Sequence, residues 1–171
     1  MFPDAMIAEA RSLLDELREK DLKVATAESC TGGLIAALLT EIPGSSDVVE
    51  RGFVTYSNDA KMESIGVPGQ LIGAVGAVSK EVAIAMADGA LVKSLADVTI
   101  AVTGVAGPGG GTALKPVGLV HLAAACIGNE TLHQECRFGN LSRSEIRLRT
   151  VSVALDLVRR AARQGADKRG E

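Results

Sequence analysis

Residues 23–40 read KVATAESCTGGLIAALLT, and this stretch decides the fold. Residues 23–27 are small or β-branched and predict a short strand, which runs into a tight turn with two glycines. An apolar helix from Leu34 to Thr40 follows directly. Strand, turn and helix in this order are typical of α/β proteins, in which helices cover a sheet. The stretch therefore predicts an α/β domain with the turn at one end of the sheet.

The same alternation continues on both sides of this unit. Before it, the pattern predicts an amphipathic helix over 5–19. After it, the pattern predicts a strand over 51–56, a short helix around Lys61, a helix over 80–94, strands over 97–103, 117–127 and 131–138, and a final helix that starts with the capping-box pair Ser142 and Glu145. The last two strands bracket Gly128-Asn129-Glu130 as an antiparallel hairpin. Together these elements predict a three-layer α/β/α fold with a mixed, mostly parallel five-stranded sheet and one antiparallel pairing.

The composition fits one domain with a large core. The chain has 171 residues, of which 47% are apolar, so we assign residues 1–171 to one domain with a polar tail after about residue 163. A formal net charge of −3 gives no electrostatic reason to bind nucleic acid or an acidic membrane. The N-terminus lacks a signal-peptide pattern and no apolar run could span a bilayer, so we expect a cytoplasmic protein.

The cysteines Cys30, Cys126 and Cys136 indicate neither a disulfide framework nor a metal site. Their number is odd, and no CxxC or His/Cys ligand spacing is present. We therefore expect reduced thiols and no metal.

Ser29 lies where the first predicted strand gives way to a helix. At such a junction a hydroxyl is exposed, and free backbone N–H groups point at whatever it attacks, which suits a nucleophile with an adjacent oxyanion site. A structural role also fits the pattern, because Ser29 or Thr31 could simply cap the helix. The segment alone leaves both interpretations open.

A serine nucleophile needs a base, and the sequence offers Lys61, His121 and His133. The two histidines lie in the predicted hairpin, where ordinary strand residues are common. Lys61 follows the possible cap Ser57 by four positions, so the positive end of a short helix dipole disfavours its charge. To act as a base, its pKa must fall from about 10.4 to roughly 7–8, which costs on the order of 4 kcal/mol. The alternative is a solvated surface lysine.

A long irregular loop follows the third predicted strand. Residues 104–116 contain five glycines and two prolines, too many for the interior of a helix or strand. Their backbone amides could wrap a phosphate or a ribose. The loop is not a P-loop, because Lys115 is followed by Pro116 instead of Ser or Thr. A purely structural turn is the alternative.

Two arginines near the C-terminus are candidate phosphate ligands. Arg143 and Arg147 are four residues apart in the last predicted helix, so both can project from one side of it with their planar guanidinium groups. An ordinary charged helix face is the alternative. Cys30 lies beside Ser29, but no histidine is near it in sequence, and we expect a buried small residue and not a nucleophile.

Four segments, taken together, resemble one family. They are Ala27-Glu28-Ser29-Cys30-Thr31-Gly32-Gly33, Thr55-Tyr56-Ser57-Asn58 through Lys61, Gly76-Ala77-Val78-Ser79, and Thr103-Gly104-Val105-Ala106-Gly107-Pro108-Gly109-Gly110-Gly111-Thr112. In this order they are similar to the CinA C-terminal domain, the nicotinamide-nucleotide amidohydrolase family. The resemblance runs from about residue 5 to residue 160, and four blocks in order are far more specific than any one of them.

The resemblance implies that nicotinamide mononucleotide is hydrolysed to nicotinate mononucleotide and ammonia, in pyridine-nucleotide salvage. The mechanism would use serine and lysine, with no metal or cofactor. Ser29 would attack the carboxamide carbon, and Lys61 would accept its proton and return one to the departing ammonia. Backbone amides after Ser29 would stabilise the oxyanion, a contribution of about 3–4 kcal/mol. Tyr56 and Thr103 would orient the pair or the amide.

The resemblance also implies a set of substrate-binding positions around the nucleophile, the base and the glycine loop. They are Cys30, Thr31, Gly32, Gly33, Asn58, Gly104, Ala106, Gly107, Gly109, Gly110, Arg143 and Arg147. The glycine loop, together with either Arg143 or Arg147, would hold the ribose phosphate.

This sequence departs from the family pattern in two respects. Family members often carry Pro-Glu where this chain has Ala113-Leu114, so any polar contact of that glutamate is absent. The larger family proteins add an N-terminal molybdopterin-binding-like domain, which this sequence lacks, and we expect a stand-alone form.

Two other functions remain as rivals. The domain could be a non-catalytic interaction module linked to competence or DNA-damage responses, or a regulator that binds a nucleotide without turning it over. The presence of both Ser29 and Lys61 argues against the interaction module, whereas the regulator would bind the mononucleotide and release no ammonia. As partners we expect a small-molecule nucleotide substrate, no nucleic acid, no membrane, and a second copy of the chain, because symmetric dimers are common.

Overall fold

The protein is described here by a computed structural model that covers residues 2–167. The strands are β1 (Val24–Glu28), β2 (Val49–Val54), β3 (Val98–Gly104), β4 (Leu119–Cys126) and β5 (Leu132–Arg137). The helices are α1 (Asp4–Glu19), α2 (Leu34–Thr40), α3 (Asn58–Ile65), α4 (Gly69–Val75), α5 (Lys80–Val92) and α6 (Arg143–Asp167), with a short 3-10 helix at Ser45–Asp47. The boundary of the polar tail expected near residue 163 therefore lies inside α6, and residues 168–171 of that tail lie outside the described residues.

The five strands form one mixed sheet in the order β2-β1-β3-β4-β5. β1 is parallel to both β2 and β3, whereas β4 is antiparallel to β3 and to β5. The predicted α/β/α fold and the predicted hairpin are confirmed, but the sheet has two antiparallel pairings and not one. The reason is that the loop between β3 and β4 contains no helix, and a parallel return would need a crossover connection.

Two hydrophobic clusters lie on opposite faces of the sheet. On one face, large side chains such as Ile100 and Leu122 pack with residues of α1, α2 and α6. On the other face, small side chains such as Ala101 and Ala123 pack with residues of α3, α4 and α5. Because strand side chains alternate, each strand contributes to both clusters. The α5 side of the sheet is thus lined with small residues.

The helix α3 lies against α5 through a close backbone contact. A Cβ atom on Gly89 of α5 would lie 1.9 Å from the carbonyl oxygen of Ile65, at the end of α3. Any side chain at position 89 would push α3 away from α5. Gly89 therefore fixes the place of α3, which is the helix that contains Lys61.

The C-terminal ends of β1 and β3 lie side by side at the point where the strand order changes from one side of β1 to the other. From β1 the chain continues to β2 on one side, and it later returns to β3 on the other. Glu28 pairs with Val102, so the turn after β1 and the glycine loop after β3 meet at the same edge. Crevices at such reversal points are the usual ligand sites of open α/β sheets.

The helix α4 has no counterpart in the sequence prediction, which placed no element between the short helix around Lys61 and the helix over 80–94. Two of the seven residues of α4, Gly69 and Gly73, are glycines, which have low helix propensity. Strand β2 also ends at Val54 and not at Tyr56 as predicted. Beyond Val54 the backbone carbonyls turn toward Lys61, as described below.

Candidate active site

Ser29 occupies a tight turn between β1 and α2. Its backbone N–H donates to the carbonyl of Val102 at 3.0 Å, and its own carbonyl accepts from the N–H of Gly32 at 3.0 Å. Gly32 and Gly33 have φ angles of +58° and +95°, which glycine adopts at little cost. The turn is therefore tied to β3 at its start and closed on itself, with the half-buried Ser29 side chain at its beginning.

The start of α2 is capped by Glu28, whose side chain is fully buried. Three backbone N–H groups donate to its carboxylate: those of Gly33, Ile35 and Ala36, at 3.0, 3.0 and 2.9 Å. Neither Ser29 nor Thr31 caps the helix, so the structural role considered for them is wrong. The N–H groups of Gly33, Ile35 and Ala36 are therefore not free to meet a ligand, because Glu28 occupies them.

Replacing Glu28 with glutamine is expected to lower the free energy of unfolding by about 2–4 kcal/mol, because hydrogen bonds to a charged acceptor contribute about 1.5–3 kcal/mol each. In addition, the NH₂ group of the glutamine side chain would face backbone N–H groups of α2, and two donors cannot hydrogen-bond to each other. Urea denaturation of Glu28→Gln measures this loss. The matched control is Glu63→Gln, since Glu63 is exposed on α3. A loss below about 0.5 kcal/mol, the range of ordinary surface substitutions, would contradict the capping role.

Lys61 is buried beside Ser29. Only 1% of its surface is exposed, so the alternative of a solvated surface lysine is wrong. Its Nζ lies 3.2 Å from Ser29 Oγ. The same Nζ donates to the backbone carbonyls at the end of β2 and the start of α3, those of Thr55 at 2.9 Å, Tyr56 at 3.4 Å and Ser57 at 3.4 Å. Ser57 caps α3 by accepting from the N–H of Ala60, as predicted.

Burial makes Lys61 easier to deprotonate than an exposed lysine. Burial lowers the pKa of Lys61 below its ordinary value, because the ammonium loses the solvation that water gives it. A neutral amine can donate its two N–H groups to the carbonyls and keep a lone pair for the Ser29 hydroxyl. This arrangement can remove the hydroxyl proton, as a base for a serine nucleophile must.

The other candidate nucleophile and bases do not take part in this contact. Burial raises the pKa of the Cys30 thiol to about 12, so it stays neutral near pH 7, as expected of a buried small residue. His121 on β4 and His133 on β5 hydrogen-bond to each other at 3.0 Å. Within residues 2–167 neither imidazole hydrogen-bonds to Ser29 or Lys61.

Arg143 joins two walls of the site. Its guanidinium donates to the carbonyl of Gly107 in the glycine loop at 2.8 Å and to the hydroxyl of Tyr56 at 2.9 Å. The side chain of Tyr56 is 58% exposed, so its ring is open to a ligand. The structure thus brings Tyr56, Arg143 and Gly107 together at the mouth of the site.

Arg147 contacts the nucleophile turn from α6. Its Nε donates to the carbonyl of Cys30 at 3.1 Å and its Nη2 to the carbonyl of Thr31 at 2.8 Å. The two arginines therefore differ in their surroundings, although the sequence places them on one side of the same helix. Arg143 is exposed and Arg147 is half-buried.

Several other predicted site residues are engaged elsewhere or lie apart. Thr103 is buried and donates from its hydroxyl to the carbonyl of Ala77 at 2.8 Å. The side chain of Ala106 lies in the hydrophobic core. Asn58 is exposed at the first position of α3.

The glycine loop itself is partly packed and partly open. A Cβ on Gly104 would come within 2.8 Å of the Leu119 carbonyl, whereas Gly109 and Gly110 have open space around them. Ala113 and Leu114, where the chain departs from the family pattern, are exposed. The loop therefore presents its tip to solvent while its ends pack on the sheet.

Two side chains with clear roles in the site were not predicted. One is Glu28, for which the signal was a lone acidic residue at the end of an apolar strand just before a helix start. The other is Lys115, which the sequence analysis used only to exclude a P-loop. Its Nζ donates to the carbonyl of Val75 at 2.6 Å and so ties the glycine loop to α4. No sequence signal indicates that contact.

Among the described residues, no group of three or more His, Cys, Asp or Glu side chains could hold a metal ion. The same part of the chain contains no helix that is long and apolar enough to cross a membrane.

Comparison with known proteins gives consistent matches to one family. The profile of the CinA C-terminal domain matches residues 7–162. A "CinA-like protein" from Colwellia psychrerythraea is 52% identical over 151 residues, which cover 88% of this chain and 34% of that protein. A "Putative competence-damage inducible protein" from Caldicellulosiruptor bescii is 50% identical over 155 residues, which cover 88% of this chain and 37% of that protein. The chain thus spans about a third of the length of these relatives.

Solved structures agree with this. The competence/damage inducible protein CihA from Agrobacterium tumefaciens superimposes with a TM-score of 0.93 at 52% sequence identity, covering 95% of this chain and 98% of that one. A competence-damaged protein (CinA) superfamily protein from Escherichia coli gives a TM-score of 0.84 at 33% identity, covering 92% and 91%.

Proposed function

Because the chain belongs to the CinA C-terminal domain family, we propose that it hydrolyses the carboxamide of nicotinamide mononucleotide to nicotinate mononucleotide and ammonia, in pyridine-nucleotide salvage. The observation that carries the proposal is the 3.2 Å contact between Lys61 Nζ and Ser29 Oγ in a site where the amine is buried. A serine with an adjacent amine base is suited to acyl transfer, and an amide is the substrate that releases ammonia.

In the first half of the proposed reaction, Ser29 Oγ attacks the carboxamide carbon while Lys61 takes the hydroxyl proton. The resulting tetrahedral intermediate collapses when the protonated Lys61 returns a proton to the nitrogen, which leaves as ammonia. An ester between Ser29 and the nicotinate group remains. The carbonyls of Thr55, Tyr56 and Ser57 stabilise the ammonium form of Lys61 during this step, because they accept its N–H groups.

In the second half, water hydrolyses the ester. Lys61 takes a proton from the water and returns it to Ser29 Oγ as nicotinate mononucleotide leaves. The sum of both halves is amide plus water to carboxylic acid plus ammonia, so no other reactant is required. No step needs a metal ion.

The oxyanion of the intermediate needs donors other than the helix start, which Glu28 occupies. We assign this role to the Cys30 N–H, since the residue after a nucleophile in a strand–turn–helix junction commonly supplies an oxyanion donor.

The substrate would lie between the nucleophile turn and the glycine loop. The exposed ring of Tyr56 offers a surface for the pyridine, and Gly107 with the open tip at Gly109 and Gly110 borders the ribose and phosphate. Arg143, exposed and linked to both Tyr56 and Gly107, is placed to meet the phosphate. A homodimer remains part of the proposal.

The experiment is to measure ammonia release from nicotinamide mononucleotide by the purified protein in the presence of EDTA. Ammonia and nicotinate mononucleotide are expected to appear in equal amounts at a rate that the chelator leaves unchanged. Nicotinate mononucleotide, which has no amide, is the control substrate. Binding of nicotinamide mononucleotide with no ammonia release would refute the enzyme and favour a non-catalytic nucleotide-binding or interaction module.

A further inference from the structure

The nucleophile turn is held from two opposite layers of the fold. Ser29 follows Ala27 by two positions, and Ala27 packs in the cluster on the α3, α4 and α5 side, where Lys61 lies. Arg147 comes from α6, which packs on the opposite face with α1 and α2. A lysine side chain therefore contacts the Ser29 hydroxyl, and an arginine side chain contacts the backbone behind it.

The contacts of Arg147 are directed at two consecutive peptide groups. Its Nε and Nη2 reach the carbonyls of Cys30 and Thr31, at 3.1 and 2.8 Å. The Thr31 carbonyl also accepts a hydrogen bond from the N–H of Leu34. The Cys30 carbonyl, among the described residues, accepts a hydrogen bond only from Arg147. The planar guanidinium contacts both carbonyls at once, through two nitrogen atoms whose relative position is fixed by the plane of the group.

Among the described residues, Arg147 has no acidic partner that would account for its position. Within residues 2–167 no carboxylate oxygen lies within 4.0 Å of its guanidinium. Two of its three nitrogen atoms are already committed to the turn, and the side chain is half-buried. By contrast, Arg143 is exposed and borders the glycine loop.

We infer that Arg147 is a positioning residue: it orients the Cys30 and Thr31 peptides, and thereby the Ser29 hydroxyl, toward Lys61, and it does not bind the substrate phosphate. This inference rests on the proposed function. It assigns the phosphate to Arg143 alone and separates two arginines that the sequence could not distinguish. A misplacement of reacting groups by about 1 Å can cost about 100-fold in rate, so the loss of Arg147 acts on the chemical step.

The test compares Arg147→Gln, Arg147→Lys and Arg143→Gln with the unmodified protein. For each, kcat and KM are measured with nicotinamide mononucleotide, and the Kd of nicotinate mononucleotide is measured by calorimetry. Arg147→Gln is expected to lower kcat about 10- to 100-fold, while KM and the Kd change less than about threefold. Arg147→Lys is expected to recover part of kcat, because it keeps one charged contact to the turn. Arg143→Gln is expected to raise KM and the Kd instead.

Three outcomes would overturn the inference. The first is an Arg147→Gln variant with unchanged kcat but a KM and Kd raised tenfold or more, which is the behaviour of a phosphate ligand. The second is a variant with unchanged kcat, KM and Kd. The third is equal loss of kcat in both Arg147 variants in proportion to a lowered Tm, which is the behaviour of a residue that only stabilises the fold. An unmodified protein that releases no ammonia refutes the proposed function itself, and this inference with it.

Discussion

Ser29→Ala is expected to lose ammonia release by on the order of 10⁴- to 10⁶-fold in kcat, because the proposed reaction has no path without the nucleophile. Its hydroxyl oxygen lies 3.2 Å from Nζ of Lys61, the proposed base. Alanine removes one oxygen atom from a half-buried position and leaves the backbone of the turn tied to Val102. The fold should therefore survive the change.

The measurement is steady-state ammonia release, together with the Kd of nicotinamide mononucleotide and the Tm. The matched control is Ser64→Ala, since Ser64 is exposed on α3. We expect Ser29→Ala to bind the mononucleotide within a few fold of the unmodified protein and Ser64→Ala to keep full activity. A folded Ser29→Ala protein that keeps more than about a tenth of kcat would show that Ser29 is not the nucleophile.

Lys61→Met is expected to lower kcat about 10³- to 10⁴-fold, because it removes the base while filling the buried space with an unbranched side chain of similar length. Lys61→Arg is expected to fail as well, because a guanidinium stays protonated and cannot accept the proton. The control is Lys93→Met, at an exposed position after α5. Substantial activity in a folded Lys61→Met protein would contradict the assignment of the base.

The pH dependence gives a second measure of Lys61. Burial lowers its pKa, and the proposed base is the neutral amine. The value of kcat/KM should therefore rise with pH by about tenfold per unit below the pKa of Lys61 and level off above it. A rate that falls as pH rises through this range would mean that Lys61 acts in its charged form, and a profile that Lys61→Met leaves unchanged would mean that another group titrates.

The general fold could be predicted because its signals are local. The apolar periodicity of α1 and α6, the strand–turn–helix unit at residues 23–40 and the hairpin around Gly128 each depend on neighbouring residues, and the structure has all of them. The direction of β4 was not predicted. It nevertheless follows from the loop of residues 105–118, because this loop contains no helix and a parallel return would need a crossover connection. The helix α4 was not predicted because two of its residues are glycines, which have low helix propensity.

The burial of Lys61 is a feature of the site that could not be predicted from the sequence. Its role as a base could be proposed from its spacing of four residues from Ser57 and from the family resemblance. A lysine in a short polar helix is, however, equally compatible with a position on the surface. What buries it is the close contact of Gly89 with the end of α3 and the set of carbonyls that follows β2. Both arise between segments that are far apart in sequence. The different surroundings of Arg143 and Arg147 arise in the same way, from the loops that α6 meets.

Hydroxylamine partitioning tests the proposed serine mechanism most directly. If Ser29 forms an ester with the nicotinate group, hydroxylamine will compete with water for that ester, and the hydroxamate of nicotinate mononucleotide will form. Because ammonia leaves before this step, its rate of release should not fall, and Ser29→Ala should give neither product. Ammonia release that yields nicotinate mononucleotide alone at every hydroxylamine concentration would contradict the ester intermediate and with it the role of Ser29.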